Sequence, residues 1–115
     1  MNNKITFGIK IMLQDDEDIF FGPGVAELLR AIERTGSVKE AAATMKLSYT
    51  KAWTMLKNTK RGIGEDAVVS KKGGIGGGYA YLTDAGKELL ARYEQFEAKA
   101  HAELEETFRS CFNVE

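Results

Sequence analysis

A lysine- and glycine-rich stretch, KKGGIGGGYAYLT at residues 71–83, is the part of the sequence whose composition most directly suggests chemistry. Glycine-rich loops next to lysine often bind phosphate, because backbone amides and a cation can approach the anion without bulky side chains between them. The phosphate could belong to a nucleotide or to the backbone of a nucleic acid.

The stretch matches neither of the common nucleotide-binding patterns. The P-loop pattern GxxxxGK[ST] fails because Gly86–Lys87 is followed by Glu88, and Tyr81 stands in place of the leading glycine. The dinucleotide pattern GxGxxG fails at Tyr79. Both patterns join a strand to a helix, whereas strand-like residues stand on both sides of this loop. We therefore expect a hairpin and no nucleotide cofactor.

Residues for catalysis or metal binding are sparse. One histidine, His101, and one cysteine, Cys111, lie ten residues apart on a predicted helix and far apart around its circumference. No candidate nucleophile stands beside a base. We therefore predict no enzyme, no catalytic residues, no metal site and no cofactor. A single cysteine and the absence of a membrane span or signal peptide favour a cytoplasmic protein with no membrane partner.

Charge is distributed unevenly along the chain. The 115 residues have a formal net charge of −1. Residues 46–83 hold seven basic and two acidic residues, a net of +5, between flanking segments of −2 and −4. A phosphate-contacting surface requires such a basic segment, although an ordinary solvated face can have the same charge.

The elements that must position these residues begin with an N-terminal hairpin. Apolar residues at positions 5, 7, 9, 11 and 13 share one parity, QDDED follows as a turn, and DIFF returns as a second strand. The hairpin should close at GPG, where Pro23 suits the first turn of a helix.

Two helices should follow this hairpin. Residues 25–35 have apolar side chains at helical spacing, and Gly36 is a natural stop. Ser37 and Glu40 form a capping box for the next helix, which should end near Lys46. Its apolar stripe is mostly alanine, which allows another helix to approach closely.

The third helix carries the side chains best suited to a nucleic acid. Ser48 can cap it, and Gly62 and Gly64 should break it. The expected inward residues are Tyr49 or Ala52, Trp53, Leu56 and Ile63. The face left outside consists of Thr50, Lys51, Thr54, Lys57, Asn58 and Arg61.

The second and third helices have the spacing of a helix-turn-helix, whose second helix enters the major groove. The basic side chains of the outside face would then neutralise phosphates or reach guanine, and Thr50 and Thr54 would contact base edges. Ser37 and Ser48, at helix starts, would offer hydroxyls and amides to phosphates. The same pattern would also fit a plain αα-corner in a small bundle.

The hairpin predicted around the glycines strengthens the interpretation as a DNA-binding domain. Lys71 and Lys72 lie at its base, and bare glycine backbone, including Gly74 and Gly76, can approach a phosphate or the minor groove. A ribbon directly after a recognition helix is a wing. We therefore predict an α+β, mainly α fold: a winged helix-turn-helix with an N-terminal β-hairpin and a long C-terminal dimerisation helix.

The last predicted helix, residues 84–112, is unusually long. Apolar residues recur at steps of three and four from Ala85 to Cys111, along about 28 residues or roughly 42 Å. Such a helix extends beyond a small domain. Its outer half therefore needs another surface, most economically that of a second copy.

The segment GSVKEAAATMKLSYTKAWTMLKNTKRGIGEDAVVSKKGGIGGGYAYLTDAGKELLARYEQFE resembles the DNA-binding domain of ModE-type, molybdate-responsive transcriptional regulators, a branch of the LysR-type winged helices. GSVKEAA, LSYTKAW, the glycine-rich wing and LTDAGKELL carry this resemblance, which covers about residues 22–97. It implies a homodimer, built by the N-terminal strands and the long helix, that reads a palindromic site. It implies DNA contacts for the wing and for Ser48, Tyr49, Thr50, Lys51 and Thr54.

The complete prediction is one domain over residues 1–115, with a hairpin (1–22), a winged-helix core (23–83) and a dimerisation helix (84–112). Its function would be sequence-specific binding of double-stranded DNA by a homodimer. The predicted DNA-binding residues are Ser37, Ser48, Tyr49, Thr50, Lys51, Thr54, Lys57, Asn58, Lys71, Lys72, Gly74 and Gly76. The predicted dimer interface consists of Ile9, Ile11, Tyr93, Phe96, Ala100, Leu104 and Phe108.

ModE-type regulators continue into an oxyanion-binding domain, whereas this sequence stops at Glu115. We therefore expect a transcriptional regulator without its own molybdate sensor, controlled through a partner chain or through its expression level. The alternative is a protein-interaction module that reuses the winged-helix fold. The near-neutral net charge and the threonines on the third helix leave that alternative open.

Overall fold

The computed structural model describes residues 4–72 and 78–113. The first elements are β1 (Leu13–Gln14), β2 (Ile19–Phe21), α1 (Pro23–Thr35), α2 (Val38–Thr44) and α3 (Tyr49–Ile63). A second antiparallel hairpin, β3 (Val68–Lys71) with β4 (Tyr79–Leu82), leads into the long helix α4 (Asp84–Phe112). The predicted fold class, α+β and mainly helical with this order of elements, is confirmed.

The N-terminal hairpin is shorter than the alternating sequence predicted. Only residues 13–14 pair with β2, because α1 begins two residues after β2 ends and leaves no strand opposite residues 5–12. Side chains 5–12 still alternate between half-buried odd and exposed even positions. The half-buried side lies along α4, where the ring centroid of Phe7 is 5.0 Å from those of His101 and Phe108.

The core forms where α1 meets α2, α3, α4 and the second hairpin. Its most deeply buried side chains are Phe21, Ala26, Leu28, Leu29, Ile32, Ala41 and Ala52. Burial of one leucine or isoleucine stabilises the fold by about 1.5–3 kcal/mol. The alanines at the crossings of α1, α2 and α3 let these helices approach closely, as their pattern predicted.

Serine hydroxyls cap the two helices of the helix-turn-helix. Ser37 Oγ accepts a hydrogen bond from the Glu40 amide at 3.1 Å, and Ser48 Oγ accepts one from the Lys51 amide at 3.0 Å. The capping box predicted at Ser37 is only half formed. The Ser37 amide donates to Thr35 Oγ1 at 3.3 Å, so α1 supplies the acceptor expected from Glu40.

The turn between α2 and α3 contains a left-handed residue. The Leu47 amide donates to the Ala42 carbonyl at 2.9 Å, and the Lys46 amide donates to the Ala43 carbonyl at 3.1 Å. These two bonds form a Schellman motif, which places Lys46 at the position where glycine is common. Lys46 has φ 58°, a conformation that costs an L-residue about 1–2 kcal/mol. The helix α2 therefore ends earlier than predicted.

The helix α3 continues past its predicted break. Gly62 is helical, and a Cβ at this position would collide with the ring of Phe20 in β2. The missing side chain therefore permits the N-terminal hairpin to pack on α3. The helix ends at Ile63, where Gly64 adopts φ 84° as its cap. Of the two glycines predicted to break the helix, only Gly64 does so.

Further contacts attach the hairpin to α3. Thr59 is fully buried, and its hydroxyl donates to the Phe20 carbonyl at 3.1 Å. At the hairpin turn, Arg61 Nη1 lies 2.6 Å from Asp15 Oδ2 and 3.5 Å from Glu17 Oε2. Thr59 was not predicted to be an inward residue, because its type gives no apolar signal.

The opposite side of the hairpin is attached to α4. The ring of Phe21 packs edge-on against Tyr93 at 4.9 Å, and the Tyr93 hydroxyl donates to the Ile11 carbonyl at 2.8 Å. Tyr93 is 2% exposed. Because its side chain fills the core of its own chain, we remove Tyr93 from the predicted dimer interface.

The helix α4 is 29 residues long, or about 43 Å. Along its outer half Phe96 is 52% and Leu104 is 41% exposed, whereas Ala100 and Phe108 are half-buried. Leu90, outside the predicted stripe, is buried against the core. No described helix combines the length and the apolar character that a membrane span requires.

Candidate nucleic-acid interface

One side of α3 presents the polar and basic residues that were predicted for it. Its exposed members are Thr50, Lys51, Thr54, Lys57 and Asn58. At 100° per residue these positions span about 120° of the helix circumference. The buried Ala52, Leu56 and Thr59 lie on the other side and hold the helix on the core. This exposed side is called the α3 face below.

Tyr49 lies at the edge of the α3 face. It was one of two candidates for the inward position at the start of the helix, and Ala52 is the one that is buried. Tyr49 is 53% exposed, and its ring packs edge-on against half-buried Trp53 at a centroid distance of 6.3 Å. The structure therefore leaves Tyr49 accessible to a ligand and places Trp53 between the helix and β3.

Arg61 lies toward the same side of the helix but is held by another part of the chain. Its guanidinium binds Asp15 and Glu17 in the hairpin turn, and the hydrogen bond with Asp15 is the main reason that the pKa of Arg61 is raised. The phosphate contact considered for Arg61 is therefore replaced by an internal ion pair. Lys60 is likewise paired, with Asp66 at 3.4 Å.

Four other lysines lie on the α3 face and the second hairpin. Lys51 and Lys57 lie on the α3 face. Lys71 and Lys72 are exposed where the second hairpin meets its glycine-rich tip, and not at its base as predicted, because Lys71 belongs to the last pair of the ladder. None of the four forms an ion pair within residues 4–72 and 78–113. Their ammonium groups can therefore bind phosphate without first breaking an internal salt bridge.

The hydroxyl groups of this surface are already oriented by the backbone. Ser37 and Ser48 accept hydrogen bonds from backbone amides, so each can still donate its own proton to a phosphate oxygen. Thr54 Oγ1 donates to the Thr50 carbonyl at 3.0 Å. Thr54 therefore presents a methyl group and an acceptor oxygen, the groups that meet a thymine methyl or a base amino group.

The second hairpin has the register expected of a wing. Val68 pairs with Leu82 and Lys71 pairs with Tyr79, so the two strands remain in step up to the glycine-rich tip. The predicted contacts Gly74 and Gly76 lie outside the described residues. The strand β4 is attached to the residue before α2 by a hydrogen bond of 2.8 Å from the Ala80 amide to the Gly36 carbonyl.

A cleft of about 660 Å³ separates β4 from the starts of α2 and α3. Ser37 and Lys39 lie on its helical side with Tyr49, and Tyr79 lies on the strand side. Tyr79 and Tyr81 were not among the predicted site residues, although the alternation in YAYL indicates that both side chains are exposed. Ala80 and Leu82 are buried, so the tyrosines must face outward.

In the part of the chain that the structure describes, no three His, Cys, Asp or Glu side chains are grouped so that they could hold a metal ion. His101 is exposed and stacked on Phe7, and Cys111 is an exposed thiol near the end of α4. The lysines and hydroxyl groups on the α3 face, in the cleft and on the second hairpin are suited to binding an anion with many phosphates.

No family model matches the chain. Comparison with individual proteins finds relatives that carry related names. The molybdenum-pterin-binding protein MopB of Rhodobacter capsulatus is 39% identical over 76% of this chain and 32% of its own length. The molybdenum transport protein ModE of Azotobacter vinelandii is 38% identical over 68% of this chain and 29% of its own. The DNA-binding transcriptional dual regulator ModE of Escherichia coli K12 is 32% identical, over 75% and 33%.

The eight relatives that match this well are all named ModE or MopB, and none is named as an enzyme. The chain spans about a third of the length of these relatives. Their names, the extent of the match and the order of elements agree with the resemblance found in the sequence. This chain is therefore homologous to about one third of the length of the ModE-type transcriptional regulators.

Proposed function

We propose that this protein binds double-stranded DNA sequence-specifically as a homodimer and regulates transcription. The observation that carries the proposal is the α3 face, where two unpaired lysines flank Thr50, Thr54 and Asn58. The α3 face has no acidic side chain, and polar groups able to read bases lie between the cations. This combination is suited to the major groove of DNA.

The hairpin supports the same proposal from a second position. Lys71 and Lys72 lie where a wing meets the backbone or the minor groove beside the segment that the recognition helix reads. The hydrogen bond from Ala80 to Gly36 holds the wing to the helix-turn-helix. A single duplex could therefore contact the α3 face and the wing at once.

Dimerisation is proposed from the unpartnered side of α4. The hairpin side of the helix is covered by residues 5–12, whereas Phe96, Ala100 and Leu104 follow one another along an uncovered stripe. With Ile9, Ile11 and Phe108 at its margin, this surface would pack against the same surface of a second copy. Two copies related by a two-fold axis would present two α3 helices to a palindromic site.

DNA binding is tested by titrating random and genomic duplexes with the purified protein over a range of salt concentrations. If Lys51, Lys57, Lys71 and Lys72 of each protomer all contact phosphates, a dimer neutralises eight, and log K should fall with log salt with a slope of about −7. Undetectable binding to every duplex at low salt would contradict the proposal and favour a protein-interaction module.

Base readout is tested at Thr54 on sites selected with the unsubstituted protein. Thr54→Val keeps a methyl group and removes the acceptor oxygen, whereas Thr54→Ala removes both. If Thr54 reads a base, Thr54→Ala should cost about 1–3 kcal/mol at one position of the site and change the base preferred there. Lys57→Ala is the matched comparison, because loss of a phosphate contact weakens binding equally on all sequences. A uniform loss from Thr54→Ala would remove Thr54 from base readout.

A further inference from the structure

The outer face of the wing carries two exposed aromatic rings. Tyr79 is 52% and Tyr81 is 41% exposed, and their rings lie nearly parallel, at 24°, with centroids 6.0 Å apart. Lys71 lies opposite Tyr79 in the ladder, and Val69 lies opposite Tyr81. The two rings and the Lys71 ammonium therefore form one surface, called the tyrosine face below.

The tyrosine face is continuous with the cleft between the wing and the helix-turn-helix. Tyr79 lines this cleft, and Tyr49 and Lys39 line its helical side. The hydrogen bond from Ala80 to Gly36 fixes the strand beside the start of α2. The width of the cleft is therefore set by the fold before any ligand binds.

The exposed rings of Tyr79 and Tyr81 are not needed to hold the second hairpin on the core. Ala80 and Leu82, on the other face of β4, already attach the ribbon to the core. Neither tyrosine hydroxyl has a hydrogen-bond partner in the described part of the chain. A phenol hydroxyl donates well to a phosphate oxygen, and the ring beneath it can pack on a deoxyribose.

The charges around the two tyrosines favour a polyanion as the occupant. Lys71 lies within the tyrosine face and Lys39 on the cleft wall, against one carboxylate, Glu40. A protein partner would have to leave these lysines in water or supply acidic groups of its own. One strand of a DNA duplex supplies phosphates and sugars together at regular intervals.

We infer that Tyr79 and Tyr81 are DNA-backbone contacts, with hydroxyls that donate to phosphates of a strand lying along the tyrosine face, beside the cleft that Tyr79 lines. The inference rests on the proposed DNA binding and adds an uncharged, sequence-independent contact to it. Because a tyrosine releases no counterions when it binds a phosphate, it strengthens binding without changing the salt dependence. That property distinguishes the tyrosines from the wing lysines.

The test compares variants by fluorescence anisotropy on one random duplex at several salt concentrations. The double variant Tyr79→Phe, Tyr81→Phe keeps both rings and removes both hydroxyls. It should weaken binding by about tenfold or more at every salt concentration, with an unchanged slope. Lys71→Ala should instead reduce the steepness of the slope by about two per dimer. Lys99→Ala, on the exposed side of α4, is the control and should change neither.

The outcomes separate this inference from the proposed function. If the unsubstituted protein binds DNA and the double Phe variant binds equally well, the inference is wrong while DNA binding stands, and the tyrosine face is left to a protein partner. If no duplex is bound at all, both fail. A loss seen only when the rings are removed, as in Tyr79→Leu with Tyr81→Leu, and equal on single-stranded DNA, would indicate base stacking and contradict the inference. Thermal unfolding of each variant checks that the ribbon is intact.

Discussion

Arg61 lies on the same side of α3 as the α3 face, but its guanidinium is bound by the N-terminal hairpin. Its position on α3 is within reach of a bound nucleic acid, yet its guanidinium is held by Asp15 at 2.6 Å. The hydrogen bond from Arg61, followed by those from the amides of Asp18 and Glu17, lowers the pKa of Asp15 from 3.8 to about 2. Arg61 therefore connects the end of α3 to the N-terminal hairpin.

This ion pair predicts a pH-dependent contribution to stability. Because the pKa of Asp15 is lower in the folded chain than in the unfolded chain, its ionised form stabilises the fold above about pH 4, and that contribution is lost as the pH falls towards 2. Asp15→Asn should lower the unfolding temperature at pH 7, and the difference from the unsubstituted protein should disappear near pH 2. Thermal unfolding followed by circular dichroism measures both.

The neighbouring Asp16 gives the control for this prediction. It is exposed, and in the described chain it forms no ion pair, so Asp16→Asn should leave the unfolding temperature nearly unchanged. If the two substitutions lowered the unfolding temperature equally at pH 7, the stability would depend on the negative charge of the turn and not on the ion pair with Arg61.

Among the elements, the turn between α2 and α3 carries backbone strain at a lysine. The Schellman bonds at Leu47 and Lys46 set the angle at which α3 leaves α2, and they require a positive φ at a lysine. Glycine would adopt this conformation at almost no steric cost. The retained lysine side chain is exposed, in the same turn that precedes Ser48 and the α3 face.

Replacing this lysine should therefore stabilise the fold. We expect Lys46→Gly to raise the free energy of unfolding by about 0.5–1 kcal/mol, because relief of the left-handed strain exceeds the added freedom of the unfolded chain. Urea denaturation with an unchanged m-value measures the gain. Lys46→Ala is the matched control, because it removes the charge and keeps a Cβ in the left-handed region. If Lys46→Ala raised the free energy of unfolding as much as Lys46→Gly does, the gain would come from loss of the charge and not from relief of strain.

Local signals made most elements of this fold predictable. Serine caps, the glycine stop at Gly36 and helical periodicity located α1, α2 and α3, and alternation in YAYL located β4. The role of Gly62 inside α3 was not predictable, because the residue that needs its missing side chain is Phe20, 42 positions earlier in the chain. The same holds for Thr59 and Arg61, whose partners lie in the N-terminal hairpin.

On the scale of the whole molecule, the described part of the chain leaves an apolar stripe of α4 uncovered. The sequence predicted an exposed apolar stripe, and Phe96 and Leu104 lie on it. It could not predict which part the chain itself would cover. Tyr93 is closed off by the hairpin, and Phe108 is half covered by Phe7.

This surface predicts a dimer that one charge can disrupt. The unsubstituted protein should sediment as a dimer, and Leu104→Glu should sediment as a folded monomer, because a carboxylate would be buried without a partner in the interface. Ala102→Glu places the same charge about 160° away around the helix and should remain dimeric. Sedimentation velocity distinguishes the two. A monomeric unsubstituted protein would contradict the proposed assembly.

The hairpin has a further consequence, because it contacts α4 on one side and α3 on the other. Phe20, over Gly62, and the hydroxyl of Thr59 fix it to α3, and Phe21 fixes it to Tyr93. In the proposed dimer, the hairpin would rigidly connect the α4 interface at the two-fold axis to the α3 helix of each protomer. Such a dimer would tolerate little variation in operator spacing, since one inserted base pair turns a half-site by about 34°.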